Sequence, residues 1–211
     1  LASLTEVGIS AGTTPILERI ELEVEAGECV GISGPNGSGK TTLLRILATL
    51  LRPTHGTGTV LGARLGTDAV FKVRRRIGLA GHQPSLYPEL TLAENLELVC
   101  RLAGLPDGRA RAALDQVGLG RAADRRTDRC SHGMQRRTDL ARLLITAPQL
   151  LLLDEAHAGL DASAQPIVAT LVKRTIGGGG AAVLVTHDPT TLDELAGRIL
   201  PLAAGVLGVR T

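Results

Sequence analysis

The sequence predicts an α/β fold built on a mostly parallel sheet, and two observations carry that reading. Short, almost wholly apolar runs of strand length alternate with amphipathic helical stretches along most of the chain. Strands that are apolar at every residue need cover on both faces, which is the situation of a parallel sheet between layers of helix. In chain order, "ELEVEAGECVGISG" (21–34) reads as two strands, the first alternating apolar and polar residues, the second (28–33) apolar enough to be buried. "TTLLRILATLL" (41–51) gathers Leu43, Leu44, Leu47, Leu50 and Leu51 on one helical face and is stopped by Pro53. A small strand at 58–61 precedes "RRIGLAGHQ", and a helix-rich block from Thr91 to about Leu119 breaks at "GLPDG". "TDLARLLIT" reads as helix, "QLLLLDE" as buried strand, "QPIVATLVKRTI" as helix and "AAVLVTHD" as a further buried strand. The run from Gly177 to Gly180 is a flexible turn; a phosphate-binding glycine loop would be followed by Lys, and Ala181 stands there instead.

With 211 residues and 44% hydrophobic content the chain can bury one sizeable core, so a single domain over 1–211 is expected. The net charge is only +2, and the arginines are scattered among Asp and Glu, which gives no basic face for nucleic acid. Three cysteines, Cys29, Cys100 and Cys130, are an odd number at unrelated spacings and point to a reducing compartment rather than a disulfide framework. The longest apolar runs are too short to cross a bilayer and nothing resembles a signal peptide, so a cytosolic chain is expected unless a partner carries it to a membrane.

Chemistry enters at "GPNGSGKTT" (34–42), which satisfies the P-loop spacing between a buried strand and an amphipathic helix. Gly34, Gly37 and Gly39 let the backbone close around phosphate oxygens, with Pro35, Asn36 and Ser38 completing the turn. The following helix adds its N-terminal N–H groups. Lys40 is placed to reach the β and γ phosphates, Thr41 to put its hydroxyl on Mg²⁺, and Thr42 to continue the helix start. In "LLLLDEAHAGLD" four leucines deliver Asp154 and Glu155 to the C-terminal end of a parallel strand, where such folds bind ligands. Asp154 is the candidate Mg²⁺ holder, and Glu155 the base that polarises an attacking water.

Taken together, the P-loop, "GHQP" with Gln83, "CSHGMQRR", "LLLLDE", "GLD" with Asp161 and "THD" with His187 occur in the order found in the ATP-binding subunits of ABC transporters, and the chain resembles that family over almost its whole length. The resemblance implies a P-loop NTPase core (1–83 and 130–211) carrying an N-terminal antiparallel β subdomain, with an inserted helical subdomain at 84–129 that meets a transmembrane permease. It implies ATP and Mg²⁺ as ligands, with ATP bound between two subunits of a homodimer or heterodimer. Gln83 then links the Mg²⁺ site to the helical subdomain, Asp161 communicates across the dimer, and His187 contacts the γ phosphate. Peripheral attachment to the cytoplasmic face of the membrane through the partner follows from the same resemblance.

"CSHGMQRR" (130–137) can be read as half a metal site, a basic patch or a helix start, and the resemblance decides for the signature loop of the family. Ser131 then caps the helix, and with Gly133 forms an anion site for the nucleotide of the other subunit. Cys130, His132 and Met134 depart from the usual pattern. Two further departures are Ala156, where the family has Pro, and Ala11 or a close neighbour, where it has an aromatic ring to stack on adenine. "GLAGHQPSLYPELTLAENLELVCRLAGLP" is similar to the ATP-binding subunit of the haem exporter of cytochrome c biogenesis, although drug and polysaccharide exporters share such stretches. A soluble ABC-type ATPase of DNA repair or the ribosome would be expected to carry a long coiled coil or a second cassette, neither of which this sequence shows, and a general P-loop kinase would leave "CSHGMQRR" and "THD" unexplained.

Overall fold

The computed structural model describes residues 1–160 and 164–208. The chain opens with β1 (Ala2–Ala11), β2 (Thr14–Val24) and β3 (Cys29–Ser33), then α1 (Lys40–Leu47). It continues through β4 (His55–Val60), β5 (Ala63–Arg64), α2 (Val70–Val73) and β6 (Ile77–Ala80) to the helices α3 (Leu92–Ala103), α4 (Gly108–Gln116) and α5 (His132–Thr146). The remaining elements are β7 (Leu150–Asp154), α6 (Pro166–Gly177), β8 (Ala181–Val185), α7 (Pro189–Leu195), β9 (Arg198–Ala203) and β10 (Val206–Leu207). Among the described residues they form an antiparallel sheet in the order β2-β1-β4-β5 and a second sheet in the order β10-β9-β3-β8-β7-β6, parallel except for β10.

Period two in the parallel strands explains why their sequences are apolar throughout. Leu150 and Leu152 of β7 pack with α1 and the antiparallel sheet, whereas Leu151 and Leu153 pack with α5 and α6 on the opposite face. Val183 and Leu184 of β8 divide in the same way. Each of these side chains is fully buried, worth about 1.5–3 kcal/mol apiece, so burial holds the central strands in place. Helices α3 and α4 close a third apolar cluster with Ala141 and Ile145 of α5. Thr91 and Glu94 begin α3 with a reciprocal capping box, and Gly104 ends it in a left-handed conformation where "GLPDG" begins.

The helix expected to run to Leu51 ends at Leu47. Thr49 adopts φ +60, and the Arg74 guanidinium donates to its carbonyl at 2.7 Å and its hydroxyl at 3.1 Å, fixing the turn from a distant part of the chain. Leu50 is thereby left exposed instead of joining the buried face. No helix among the described residues is long and apolar enough to cross a membrane.

Candidate functional site

The loop from β3 to α1 is squeezed between the two sheets, and two of its glycines are required for that reason. A Cβ on Gly34 (φ +145) would stand 2.0 Å from the Leu202 carbonyl oxygen, and one on Gly39 (φ +103) 2.5 Å from a Leu17 methyl. Gly39 precedes α1 without any side-chain cap, so the first N–H groups of the helix face the loop interior. Lys40 is buried; its Nζ donates to the carbonyls of Gly34 and Pro35, both at 2.8 Å. The Ser38 hydroxyl is also buried and has no hydrogen-bond partner among the described residues.

Because β7 lies two strands from β3 in the sheet, its C-terminal end delivers Asp154 beside the same helix start. The Thr41 hydroxyl donates to Asp154 Oδ2 at 2.7 Å. Glu155 follows with φ +52, a left-handed conformation uncommon outside glycine, which turns the chain sharply off the strand. Its Oε2 lies 3.0 Å from His187 Nδ1 and accepts from the Thr186 hydroxyl at 3.3 Å. The register of β7 and β8, with Asp154 opposite Val185, sets this meeting of carboxylate and imidazole. His187 itself is largely exposed. Burial pushes the His157 imidazole pKa down, opposed by the Asp188 carboxylate.

A cleft of about 430 Å³ brings together Asn36, Gly37, Gly39, Lys40, Thr41, Thr42, Asp154, Glu155 and His187, with Ile16, His82 and Ala158 completing the wall. Gln83 lies in an adjoining cleft that shares Thr41, His82 and Asp154 with the first. Ser131 and Gly133 stand apart at the N-terminus of α5, where the Ser131 hydroxyl accepts from the Met134 N–H at 3.3 Å. The His132 ring lies against Gly159 at the end of the Glu155 turn. Asp161 lies outside the described residues.

Ala11 sits at the end of β1 beside the hairpin turn and is not among the residues lining the cleft, to which the same hairpin contributes Ile16 of β2. No local signal in the sequence marks Ile16, because its place depends on how the β1–β2 hairpin folds over the loop. Ile has no π face, and stacking contacts of that kind contribute ~1–3 kcal/mol per base in nucleic-acid binders. In a competition experiment ATP and GTP are therefore expected to bind within about fivefold of each other, a difference of ~1 kcal/mol. A clear preference for ATP would contradict this.

A glycine loop between strand and helix, a buried lysine at the helix start, and a threonine paired with an aspartate at the end of a neighbouring strand define the P-loop nucleoside triphosphatases. Within that class, residues 17–158 match the sequence profile of the family described as ABC transporter. The chain belongs to this family and is an ABC-type ATPase domain. It is 41% identical over 198 residues to the daunorubicin resistance ATP-binding protein DrrA3 of Streptomyces coeruleorubidus, covering 92% of this chain and 62% of the relative. It is 37% identical over 202 residues to the molybdenum import ATP-binding protein ModC of Mycobacterium tuberculosis, covering 89% of this chain and 54% of that protein. The chain thus spans little more than half the length of these relatives. Its fold is similar to the dimeric structure of MJ0796, a bacterial ABC transporter cassette, with a TM-score of 0.89 and 30% identity over 98% of this chain and 96% of the other. The same cassette is also known in a dimeric post-hydrolysis state with ADP and Pi, at a TM-score of 0.88.

Proposed function

We propose that the chain binds and hydrolyses ATP as the motor of an ABC exporter of the drug-efflux kind. It works as a dimer around two ATP, on the cytoplasmic face of the membrane, beneath a transmembrane permease. The observation that carries the hydrolytic reading is the convergence of Lys40, Thr41, Asp154, Glu155 and His187 on one cleft. The export reading rests on the similarity to DrrA3, 41% identical against 37% for the import protein over a comparable span.

In this reading the backbone from Gly34 to Gly39, including Pro35, Asn36 and Ser38, cradles the phosphates. Lys40 and Thr42 hold them at the helix start. The hydroxyl of Thr41 and the carboxylate of Asp154 are hard oxygen donors that suit Mg²⁺, and Gln83 in the adjoining cleft stands within the same group. When bound, Mg²⁺ neutralises charge on the phosphate oxygens. Glu155 orients a water and accepts its proton, while His187, tied to Glu155 Oε2, keeps that carboxylate aimed and meets the γ phosphate. Ser131 and Gly133, with Asp161, serve the nucleotide held by the other subunit. Closure around ATP and release after hydrolysis then move the permease, since ligand binding shifts the dimer between two arrangements.

Affinity capture of the full-length protein from its native membranes is expected to return a transmembrane permease, and vesicles carrying that complex to take up an anthracycline when ATP is added. Recovery with ribosomes or DNA alone would overturn the transporter reading. Loss of c-type cytochromes on deletion, with anthracycline efflux intact, would favour haem export instead.

A further inference from the structure

The side chain of Arg136 is 1% exposed and is among the largest fully buried side chains of the described residues. It lies one turn into α5, the helix that Ser131 caps. None of its described hydrogen bonds goes to a carboxylate. Its Nη2 donates to the carbonyls of Asp154 at 3.2 Å and Glu155 at 2.9 Å, its Nε to that of Ala156 at 3.3 Å, and its Nη1 to that of Gly81. Three successive carbonyls converge on one guanidinium only if the chain curls around it, and that curl is where Glu155 takes its left-handed φ of +52. The fourth carbonyl belongs to the loop that carries His82 and Gln83. On the same helix Asp139 accepts from the Ser85 N–H at 3.3 Å and from Arg142, which donates onward to Leu79 at 2.8 Å, so α5 is fastened to both sides of that loop. Burial works against the charge of Arg136, whereas the fields of Asp139, Asp154 and Glu155 favour it.

We propose that Arg136 is a positioning residue for hydrolysis: by gathering the carbonyls of Gly81, Asp154, Glu155 and Ala156 it holds the Glu155 turn and the root of the Gln83 loop in one fixed relation. This rests on Glu155 being the hydrolytic carboxylate. Ala156 leaves that turn without the ring constraint that Pro would impose, so its shape is held from outside by hydrogen bonds. A planar fork with five donors can span four carbonyls; an ammonium, with three donors on a single nitrogen, can satisfy only some of them. Glu155 reaches His187 and Thr186 because its backbone is turned this way, and a relaxed turn would carry the carboxylate off its line while leaving the phosphate loop untouched.

The test is steady-state ATP hydrolysis and nucleotide affinity of the full-length protein as parent, Arg136→Lys and Arg136→Gln, each assayed well below its own unfolding midpoint. Arg136→Gln is expected to lower kcat by about tenfold or more while KM and the ATP dissociation constant stay within about threefold, the pattern of an interaction that matters in the transition state. Arg136→Lys should recover part of the loss. An unchanged kcat in Arg136→Gln would overturn the proposal, as would a KM that rises in step with the fall in kcat. Failure of both variants to fold would also overturn it, since Arg136 would then be a support of the core alone. A parent protein without turnover removes the hydrolytic reading and the proposal together. A parent that turns over beside an equally active Arg136→Gln removes only the role of Arg136.

Discussion

Replacing Glu155 by Gln is expected to leave ATP binding intact, reduce turnover by about 10²–10⁴-fold, and accumulate an ATP-bound dimer. General base catalysis by one positioned side chain is worth about that much. The substitution is close to isosteric: the amide oxygen can still accept from Thr186, so the Glu155 turn, which Arg136 and the Val185 carbonyl hold through the backbone, has no reason to change. What disappears is the negative charge 3.0 Å from His187 Nδ1, and with it the group that the proposed mechanism assigns to accept the proton of the attacking water. Lys40, whose Nζ donates to the Gly34 and Pro35 carbonyls, has no described hydrogen bond to Glu155, so the phosphate loop is expected to keep its shape. Phosphate release measured against ATP, with size-exclusion chromatography in its presence, reads both effects. Undiminished phosphate release would take Glu155 out of its role.

Ser131→Arg is the second large effect: ATP-driven dimerisation should fall at least about tenfold, ~1.4 kcal/mol, while the ATP affinity of the separate subunit stays near that of the parent. Ser131 is exposed, and the one described hydrogen bond of its side chain is the cap to Met134, whose loss costs about 0.5–2 kcal/mol, so the helix and the fold survive the change. The consequence lies on the surface. The N-terminal N–H groups of α5 are offered to a nucleotide held by another subunit only if that subunit can come close, and an arginine side chain at the cap fills the approach. Combining the change with Glu155→Gln removes hydrolysis as a variable, and the dimer fraction then reports closure alone. A variant that still dimerised and turned over normally would show that Ser131 does not face the second nucleotide.

Much of the architecture was legible because its signals are contiguous. The leucines at 150–153 announce a strand covered on both faces, and the structure sends alternate ones to the two apolar clusters. The glycine pattern from 34 to 39 announces a loop under close approach, and Leu202 and Leu17 supply the approach. By contrast, bulges near Glu6 interrupt the alternation of β1, Pro201 breaks the apolar run of β9, and β10 and α7 are too short to carry a period. α1 ends short of its apolar period for a physical reason: Leu50 and Leu51 fit that period, and nothing nearby in the sequence reveals that Arg74 fastens Thr49 in a left-handed turn.

The sequence by itself determined the alternation of strands and helices, the phosphate loop, and the pairing of Asp154 with Glu155 at a strand end, because dihedral preferences, period and loop chemistry act between residues a few positions apart. Only the tertiary structure decided that Ile16 rather than Ala11 lines the cleft and that Gln83 occupies an adjoining one. It alone also revealed that Arg136, one of two arginines that read as a surface patch in "CSHGMQRR", is buried under four carbonyls. Burial of a charge is a property of what folding brings around it; the three carbonyls of the Glu155 turn and that of Gly81 come from segments 18 to 55 residues away, and no local pattern encodes their meeting.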